Sequence, residues 1–585
     1  MPARILTHSS VTDRREMFSV TYSTRLLALA AVALATACSS APPVDGPQPA
    51  PTSATGADAI TAAALEAQLT TFAHDTMLGR ESGTLGNFKG TEYLAAEIER
   101  MGLEPAGENG TYFQTIPLME RALAPDASIS VGGTELELGE DYLPLPPLGG
   151  MLPFAFGANR SLDGAEVVYG GQLGDTANMV DPGLAAGKLV IFTPSMGMGM
   201  GAFRMLRGFE DAAGIAMAML HLLPAGVRNY LGGSQMYLDD GEATSSDGPM
   251  GMFIDLNGAE ILLGKPVGNA EIGEAGGIVQ GTFAFEEGPT PYPARNVIGI
   301  VRGSDPTLQN EYVAIGSHND HDGFASSAVD HDSLWAFNHV LRPQGAEGQA
   351  RRATDEDLAR IQALRDSLGV QRPTRLDSIY NGADDDGSGS VTMLGVAEAF
   401  ATSNPKPKRS VLFVWHTAEE KGLYGAGYFT DNPTVPRESI VANINLDMVG
   451  RGVEGDLEGG GPGYMQVLGS RRLSTELGDL VESVNIDGGF NFEFDYSYDA
   501  DGHPQQFYCR SDHYMYARFG IPIVFFSTGS HQDYHMVTDE SQYIDYDKMA
   551  RISKFVYELT SSIANLDHRL LVDGPIPDPN APCRQ

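Results

Sequence analysis

Ser410-Val411-Leu412-Phe413-Val414-Trp415-His416-Thr417-Ala418-Glu419-Glu420-Lys421-Gly422 is the stretch that decides the fold. Its first half is apolar, β-branched and aromatic, without the polar alternation of a strand that faces water on one side. Such a run is a strand buried on both faces. Its second half turns abruptly to histidine and paired glutamates. Tyr312-Val313-Ala314-Ile315-Gly316 repeats the pattern and runs into Ser317-His318-Asn319-Asp320-His321-Asp322-Gly323. Ile440 to Leu446 repeats it again and stops at Asp447, and Ile521 to Phe526 leads to Gly529-Ser530-His531-Gln532-Asp533-Tyr534-His535. Helical segments lie between these runs, the main one at Ser388 to Ala401. Buried strands alternating with helices predict an α/β fold, a mainly parallel central sheet with helices on both faces. Ligands of such sheets sit beyond the carboxyl ends of the strands, where these acids and histidines fall.

Outward from this core, Thr91 to Met101 is predicted helical, with Leu94, Ile98 and Met101 on one face and Gly102 as its stop. Residues 126–290 change character. Short β-like runs (165–169 and 188–192) alternate with Gly- and Pro-rich turns, and one small apolar stretch, Phe209 to Leu222, is predicted helical. A separate β-rich inserted domain is expected there. Within it, Met196-Gly197-Met198-Gly199-Met200-Gly201 offers thioethers to a soft metal. Alternate glycines make a poorly preorganised ligand set, so a mobile apolar loop is expected instead. Residues 325–378 are polar and irregular, with a helical piece near Asp355 to Leu368, and are expected to be a loop insertion.

The N-terminus carries an export pattern. Arg14, Arg15 and Arg25 precede the apolar run from Leu26 to Leu34, which is too short to span a bilayer. Ala35-Thr36-Ala37-Cys38 resembles a lipobox, with Ala35 where Leu is usual. Residues 1–38 are therefore expected to be a signal, with a lipid on Cys38 as the only tie to a membrane, and 39–58 a flexible Pro/Ala/Ser/Thr tether. A cell-envelope lipoprotein is the expected location, simple secretion the alternative. The three cysteines are too few for a disulfide scaffold or a thiolate zinc site, although Cys509 and Cys583 could pair in an oxidising compartment. A net charge of −38 argues against nucleic acid as a partner.

Individually the polar strand ends are weak signals. The triplet in Asn381-Gly382-Ala383-Asp384-Asp385-Asp386-Gly387-Ser388-Gly389 could merely cap a helix. A Glu pair is usually solvated. Together they converge on one sheet edge, where several carboxylates would repel unless a cation neutralised them. Imidazoles with carboxylates are a mix that zinc accepts. No Arg or Lys clamp for phosphate is evident.

Ser-His-Asn-Asp-His, Asn-Gly-Ala-Asp-Asp-Asp-Gly-Ser-Gly, Ala-Glu-Glu-Lys-Gly-Leu-Tyr-Gly and Asn-Leu-Asp-Met in this order, followed by Arg510-Ser511-Asp512-His513 and Tyr534-His535, resemble the co-catalytic di-zinc aminopeptidases. That group includes secreted bacterial leucyl aminopeptidases, aminopeptidase Y and glutamate carboxypeptidase II. The resemblance spans roughly residues 60 to 565 and implies the zinc-peptidase (phosphorylase/hydrolase-like) fold. It implies two zinc ions, with Asp385 bridging, His318 and Asp447 completing one site, and Glu420 and His535 the other. Glu419 would be the general base, Asp320 would orient the His318 ring, and Tyr508 would stabilise the oxyanion, with Tyr514 and Tyr534 as nearby rivals. The metal pair would hold and acidify the attacking water, and peptides would be the substrates. An aminopeptidase is implied first, a carboxypeptidase or dipeptidase second. A non-catalytic binding protein on the same fold would require lost ligands.

The implied organisation is an N-terminal part of the peptidase domain at 59–125, an inserted domain at 126–290, the zinc peptidase domain at 291–565 and a tail at 566–585. Gly187-Lys188-Leu189-Val190-Ile191-Phe192 and the residues after it resemble a protease-associated domain.

Overall fold

The computed structural model describes residues 55–147, 156–157, 160–239, 248–371, 373, 375–457 and 459–585. The signal, the lipobox with Cys38, and the tether up to residue 54 lie outside the described residues. The last positions assigned to the tether are ordered: Gly56–Ala59 forms a 3-10 turn whose Gly56 N–H donates to Thr402 Oγ1.

The principal sheet has nine strands: β1 (Glu104–Pro105), β2 (Phe113–Ile116), β3 (Ala294–Val301), β4 (Tyr312–His318), β5 (Ser410–His416), β6 (Ile440–Leu446), β7 (Tyr464–Leu468), β8 (Glu493–Asp495) and β9 (Ile523–Ser527). Their order is β1-β3-β5-β4-β6-β9-β7-β8, with β2 also paired to β3. The central β5-β4-β6-β9 are mutually parallel. β3 joins β5, and β7 joins β9, antiparallel. The sheet is thus mixed rather than mainly parallel. The buried apolar runs marked only its centre; on one flank β2 and β3 are delivered by chain that leaves for the insertion and returns, and on the other β7 follows β6 and joins β9 antiparallel.

Burial of both faces explains the unbroken apolar strands. Val411, Phe413 and Trp415 of β5 join one core, and Leu412 and Val414 join the opposite one. Helices α1 (Ala62–Phe72), α2 (Leu85–Met101), α3 (Gly389–Thr402), α4 (Thr475–Asp487) and α5 (Tyr546–Ala564) pack on the first face through Leu69, Ile98, Leu394, Val481 and Phe555. α2 is longer than its apolar stripe predicted, because Thr84 caps its start; Gly102, at φ 78°, ends it. Phe429 and Tyr516 cover the other face.

The insertion builds a second sheet of eight strands from residues between 128 and 282, with an apolar cluster on each face. Phe209 to Leu222 is not a helix. Gly214–Met217 is a strand between Leu189–Pro194 and Met250–Ile254, and a 3-10 turn precedes it. Buried on all sides, this small apolar run carries no period that separates strand from helix. Met196 is fully exposed in the methionine–glycine loop.

Residues 325–378 are more regular than expected. Strands Phe324–Asp330 and Leu376–Ile379 pair, and helices His331–Leu341 and Asp355–Gln371 lie between them. Asp330 caps the first helix by accepting the Ser333 N–H. The end of the chain is also pinned. Cys583 is disulfide-bonded to Cys509, and the Gln585 side chain bonds Tyr508 and Tyr498.

Candidate metal centre

The four parallel strands end side by side and lead into His318 and His321, Glu419 and Glu420, Asp447 and His535, while Asp385 comes from the turn before α3. His318 is the last residue of β4. Its Nε2 lies 3.0 Å from Asp385 Oδ1 and 3.6 Å from Asp447 Oδ1. Asp447 follows β6, and its Oδ2 accepts a 2.8 Å hydrogen bond from Ser511 Oγ, which is held in turn by Asn445 Nδ2 at 3.0 Å. These three residues form a first cation position. At a second position, His535 Nε2 is 2.9 Å from Asp385 Oδ2 and 3.2 Å from Glu420 Oε2. His321 Nδ1 is 2.7 Å from Glu420 Oε1. His535 Nδ1 faces Asp322 Oδ2 at 3.4 Å. Asp385 belongs to both positions.

The aspartate triplet divides its work. Asp386 is wholly buried and accepts the backbone N–H groups of His318, Gly389 and Met448. Asp384 accepts the Gly450 N–H at 2.7 Å and faces His531 Nε2 at 3.2 Å. Asp539 accepts the N–H groups of Asp384 and Asp385. The carboxylate of Asp385 alone is left for the cavity. Upstream, buried Arg80 donates to the carbonyls of Asn381 and Gly382 at 2.6 and 2.8 Å. Gly382 has φ 52°, and a Cβ there would sit 2.2 Å from the Asp385 carbonyl and 2.6 Å from the His321 ring. Only glycine fits this turn.

Electrostatics agree with a cation site. Burial favours the neutral acid, yet His318 and His535 hold Asp385 ionised, well below the usual carboxylate range. Glu420 is likewise held low against burial, chiefly by His535 and with help from His321. Glu419 goes the other way. Burial, reinforced by Glu420, Asp447 and Asp512, pushes it well above, although His318 opposes. His318 Nε2 and Asp385 Oδ2 are buried but make no aligned hydrogen bond. His318 Nε2 lies at the first position and Asp385 Oδ2 at the second. Orphaned atoms of this kind, with two imidazoles and three carboxylates, fit a pair of divalent ions. A further grouping, His331, Asp377 and Glu540, differs: Arg375 hydrogen-bonds Glu540 and lies 3.5 Å from Asp377, supplying the positive charge already.

Three expectations change. The His318 ring is held by the Asp320 carbonyl, 3.1 Å from Nδ1, whereas the Asp320 carboxylate is 3.8 Å away and accepts the Glu419 N–H. Asp320 therefore couples the first position to the backbone of the two glutamates, and burial raises its own pKa to about 6. Tyr508 is in the core, packed on His513 and Tyr514 under the Arg472 guanidinium, and does not line the cavity. The tyrosine at the cavity is Tyr534, tilted against the His535 ring. A guanidinium does stand at the cavity. Arg510 lines the cavity and hydrogen-bonds Glu347 of the 325–378 insertion.

The cavity measures about 50 Å³. Asp385, Glu419, Glu420, Asp447 and His535 form its polar floor, and Met448, Phe507 and Phe525 an apolar side. His321, Asp322, Ser511 and Asp539 were not singled out from sequence. For His321 the signal was present, as a second histidine three residues beyond the first on the same strand end.

Comparison with known proteins bears on this centre. Residues 361–560 match the model of peptidase family M28. That span contains Asp385, Glu419, Glu420, Asp447 and His535, while His318 and His321 precede it. Leucine aminopeptidase 1 of Aspergillus oryzae is 28% identical over 212 residues, covering 34% of this chain and 51% of its own length. Leupeptin-inactivating enzyme 1 of Streptomyces exfoliatus is 28% identical over 153 residues, 26% of this chain and 30% of its own. The chain thus spans about half, or less, of the curated relatives it matches. Among solved structures, an aminopeptidase from Aneurinibacillus sp. strain AM-1 aligns over 89% of this chain and 97% of its own, with a TM-score of 0.48 and 15% identity. Residues 361–560, part of an α/β sheet that gathers its acids and histidines at one edge, are thus similar to peptidase family M28.

Proposed function

We propose that the protein is a two-zinc exopeptidase that removes N-terminal residues from peptides. The observation that carries this reading is Asp385 shared between two clusters of ligands, with Glu419 beside them, grouped with His318 and Glu420 but not with Asp385. His318, Asp385 and Asp447 would hold one ion, and Asp385, Glu420 and His535 the other. Such a pair supplies Lewis acidity toward the scissile carbonyl and a water acidic enough to attack near neutral pH.

The rest is work for the chain's own side chains. Glu419, its proton affinity raised by burial and by Glu420 and Asp447, takes the proton of the attacking water and delivers it to the leaving amine. Tyr534, on the cavity wall beside His535, donates to the oxygen that gains charge. Met448, Phe507 and Phe525 receive an apolar side chain. A cavity of about 50 Å³ is well below the roughly 300–1,000 Å³ of drug-sized ligand sites. The 325–378 insertion walls the site: Ala346 N–H bonds the Tyr534 carbonyl, and Gln532 bonds His339. The names of the relatives, leucine aminopeptidase and leupeptin-inactivating enzyme, accord with this chemistry.

Arg510 favours a second reading. A guanidinium at the cavity edge suits the C-terminal carboxylate of a short substrate, as in a dipeptidase or carboxypeptidase. Leucyl-anilide, free dipeptides and N-blocked dipeptides separate the two. The aminopeptidase reading expects turnover of the first two substrates only, and cleavage of the N-blocked peptide alone would sink it. Glu419→Gln is expected to keep its zinc and lose about 10²–10⁴-fold in kcat. Export is part of the proposal: the Cys509–Cys583 disulfide supports an oxidising compartment for a chain with the leader pattern at residues 14–38.

A further inference from the structure

Glu419 and Glu420 are adjacent and chemically identical, yet the proposed reaction needs one on a metal and the other free. Something must hold them to different roles. We propose that His321 is the positioning residue that does so: its Nδ1–H grips one oxygen of Glu420, leaving the other for the second cation position. The inference rests on the two-metal reading above.

Distances separate a grip from a ligand. Two donors bound tetrahedrally to one zinc at 2.0–2.2 Å stand roughly 3.3 Å apart. His535 Nε2 lies 3.2 Å from Glu420 Oε2 and 2.9 Å from Asp385 Oδ2, near that spacing. His321 Nδ1 is 2.7 Å from the other Glu420 oxygen, Oε1, which is the length of a charge-assisted hydrogen bond. From Asp385 Oδ2 it is 3.8 Å. Its nearest partner is therefore the Glu420 carboxylate rather than that of Asp385.

The ring has little freedom. It is fully buried, its backbone N–H donates to the Arg80 carbonyl, and its edge meets the His535 ring at 5.4 Å. Gly382 lies beneath it with no room for a side chain. Glu419 is held through its main chain: its N–H donates to Asp320, and its carbonyl accepts the N–H groups of Gly422 and Leu423. One glutamate is thus tied at its carboxylate and the other only at its main chain. A residue that orients a ligand commonly accounts for 10–100-fold in metal affinity.

The test compares wild type, His321→Ala and His321→Asn by zinc titration against a competing chelator. Melting by circular dichroism checks that each is folded, and zinc-edge X-ray absorption counts the imidazoles. His321→Ala should weaken one zinc by about 10–100-fold and leave the other unchanged. His321→Asn, whose amide N–H can donate from nearly the Nδ1 position, should regain most of the loss. Wild type should show two imidazoles over two zincs, from His318 and His535. Three imidazoles would make His321 a ligand and overturn the proposal. So would unchanged affinities in His321→Ala, or a folded Asn variant no better than Ala. A wild type that binds a single zinc strikes down the two-metal reading instead, and the Ala/Asn pair on that one zinc still judges His321.

Discussion

The two cation positions are made from different kinds of structure. His318 and Asp447 stand at the ends of neighbouring central strands, and His318 is 1% exposed. The backbone of this first position is fixed by the buried carboxylate of Asp386, which joins the His318 and Met448 N–H groups. Glu420 and His535 are on loops. His535 has φ 53°, its side chain is 25% exposed, and Asp322 behind it is 31% exposed. One position inherits its geometry from the core. The other must be assembled by side chains such as His321 and Asp322. On the two-zinc reading proposed above, the difference teaches that a centre sharing one aspartate would not hold its two ions equally, and the loop-built position should load last and empty first.

Asp385 is where that contrast ends, so its loss should be the largest effect. Asp385→Ala is expected to bind neither zinc tightly and to lose on the order of 10⁴-fold or more in turnover. Elemental analysis after dialysis reads the first outcome. A variant that kept one zinc at full affinity would show that the positions are independent. The behind-the-ligand residues come next. Ser511→Ala, which strips Asp447 of its buried hydrogen bond, and Asp322→Asn, which strips His535 of its carboxylate, should each cost about 10–100-fold at one position. The Ser511 effect should be the larger, because solvent can stand in for Asp322 and not for Ser511. Chelator titration of both variants checks the order, and equal losses would count against the contrast drawn above.

Legibility in sequence follows the same line. Apolar strands carried His318, Glu419, Glu420 and Asp447 to one edge, and no further information was needed to bring them together. The outer aspartates of the triplet were ambiguous because a capping carboxylate and a ligand look alike until backbone partners are known. Tyr508 and Tyr534 show the limit for side chains. Each lies near a cavity residue in sequence, but the direction of the ring depends on packing against Arg472 in one case and His535 in the other. Arg510 and Glu347 are separated by 163 residues, and only the folded insertion joins them. The strand Gly214–Met217 was hidden for the reason that makes it central: nothing polar marks its faces.

The segment from Cys509 to His513 offers two smaller tests, both on the wall of the first position. Its disulfide to Cys583 closes a 74-residue separation. Cys509→Ala with Cys583→Ala should cost about 2–4 kcal/mol of stability and slightly weaken the zinc next to Ser511 without touching the other. His513 is smaller still. Burial pushes its pKa down to about 3, with Asp512 opposing and Arg472 assisting. In an unfolded chain the same imidazole titrates near 6.5. Between those values the unfolded state binds the extra proton. The neutral ring's contribution is complete above about pH 6.5 and is lost as pH falls toward 3, at up to about 1.4 kcal/mol per pH unit. His513→Phe, which can keep the stack on Phe525, should therefore melt with a shallower pH dependence than wild type between pH 6.5 and 4. Identical slopes would mean that His513 takes up its proton without unfolding. The strand-built wall would then be softer than its burial implies, and the contrast between the two positions would narrow.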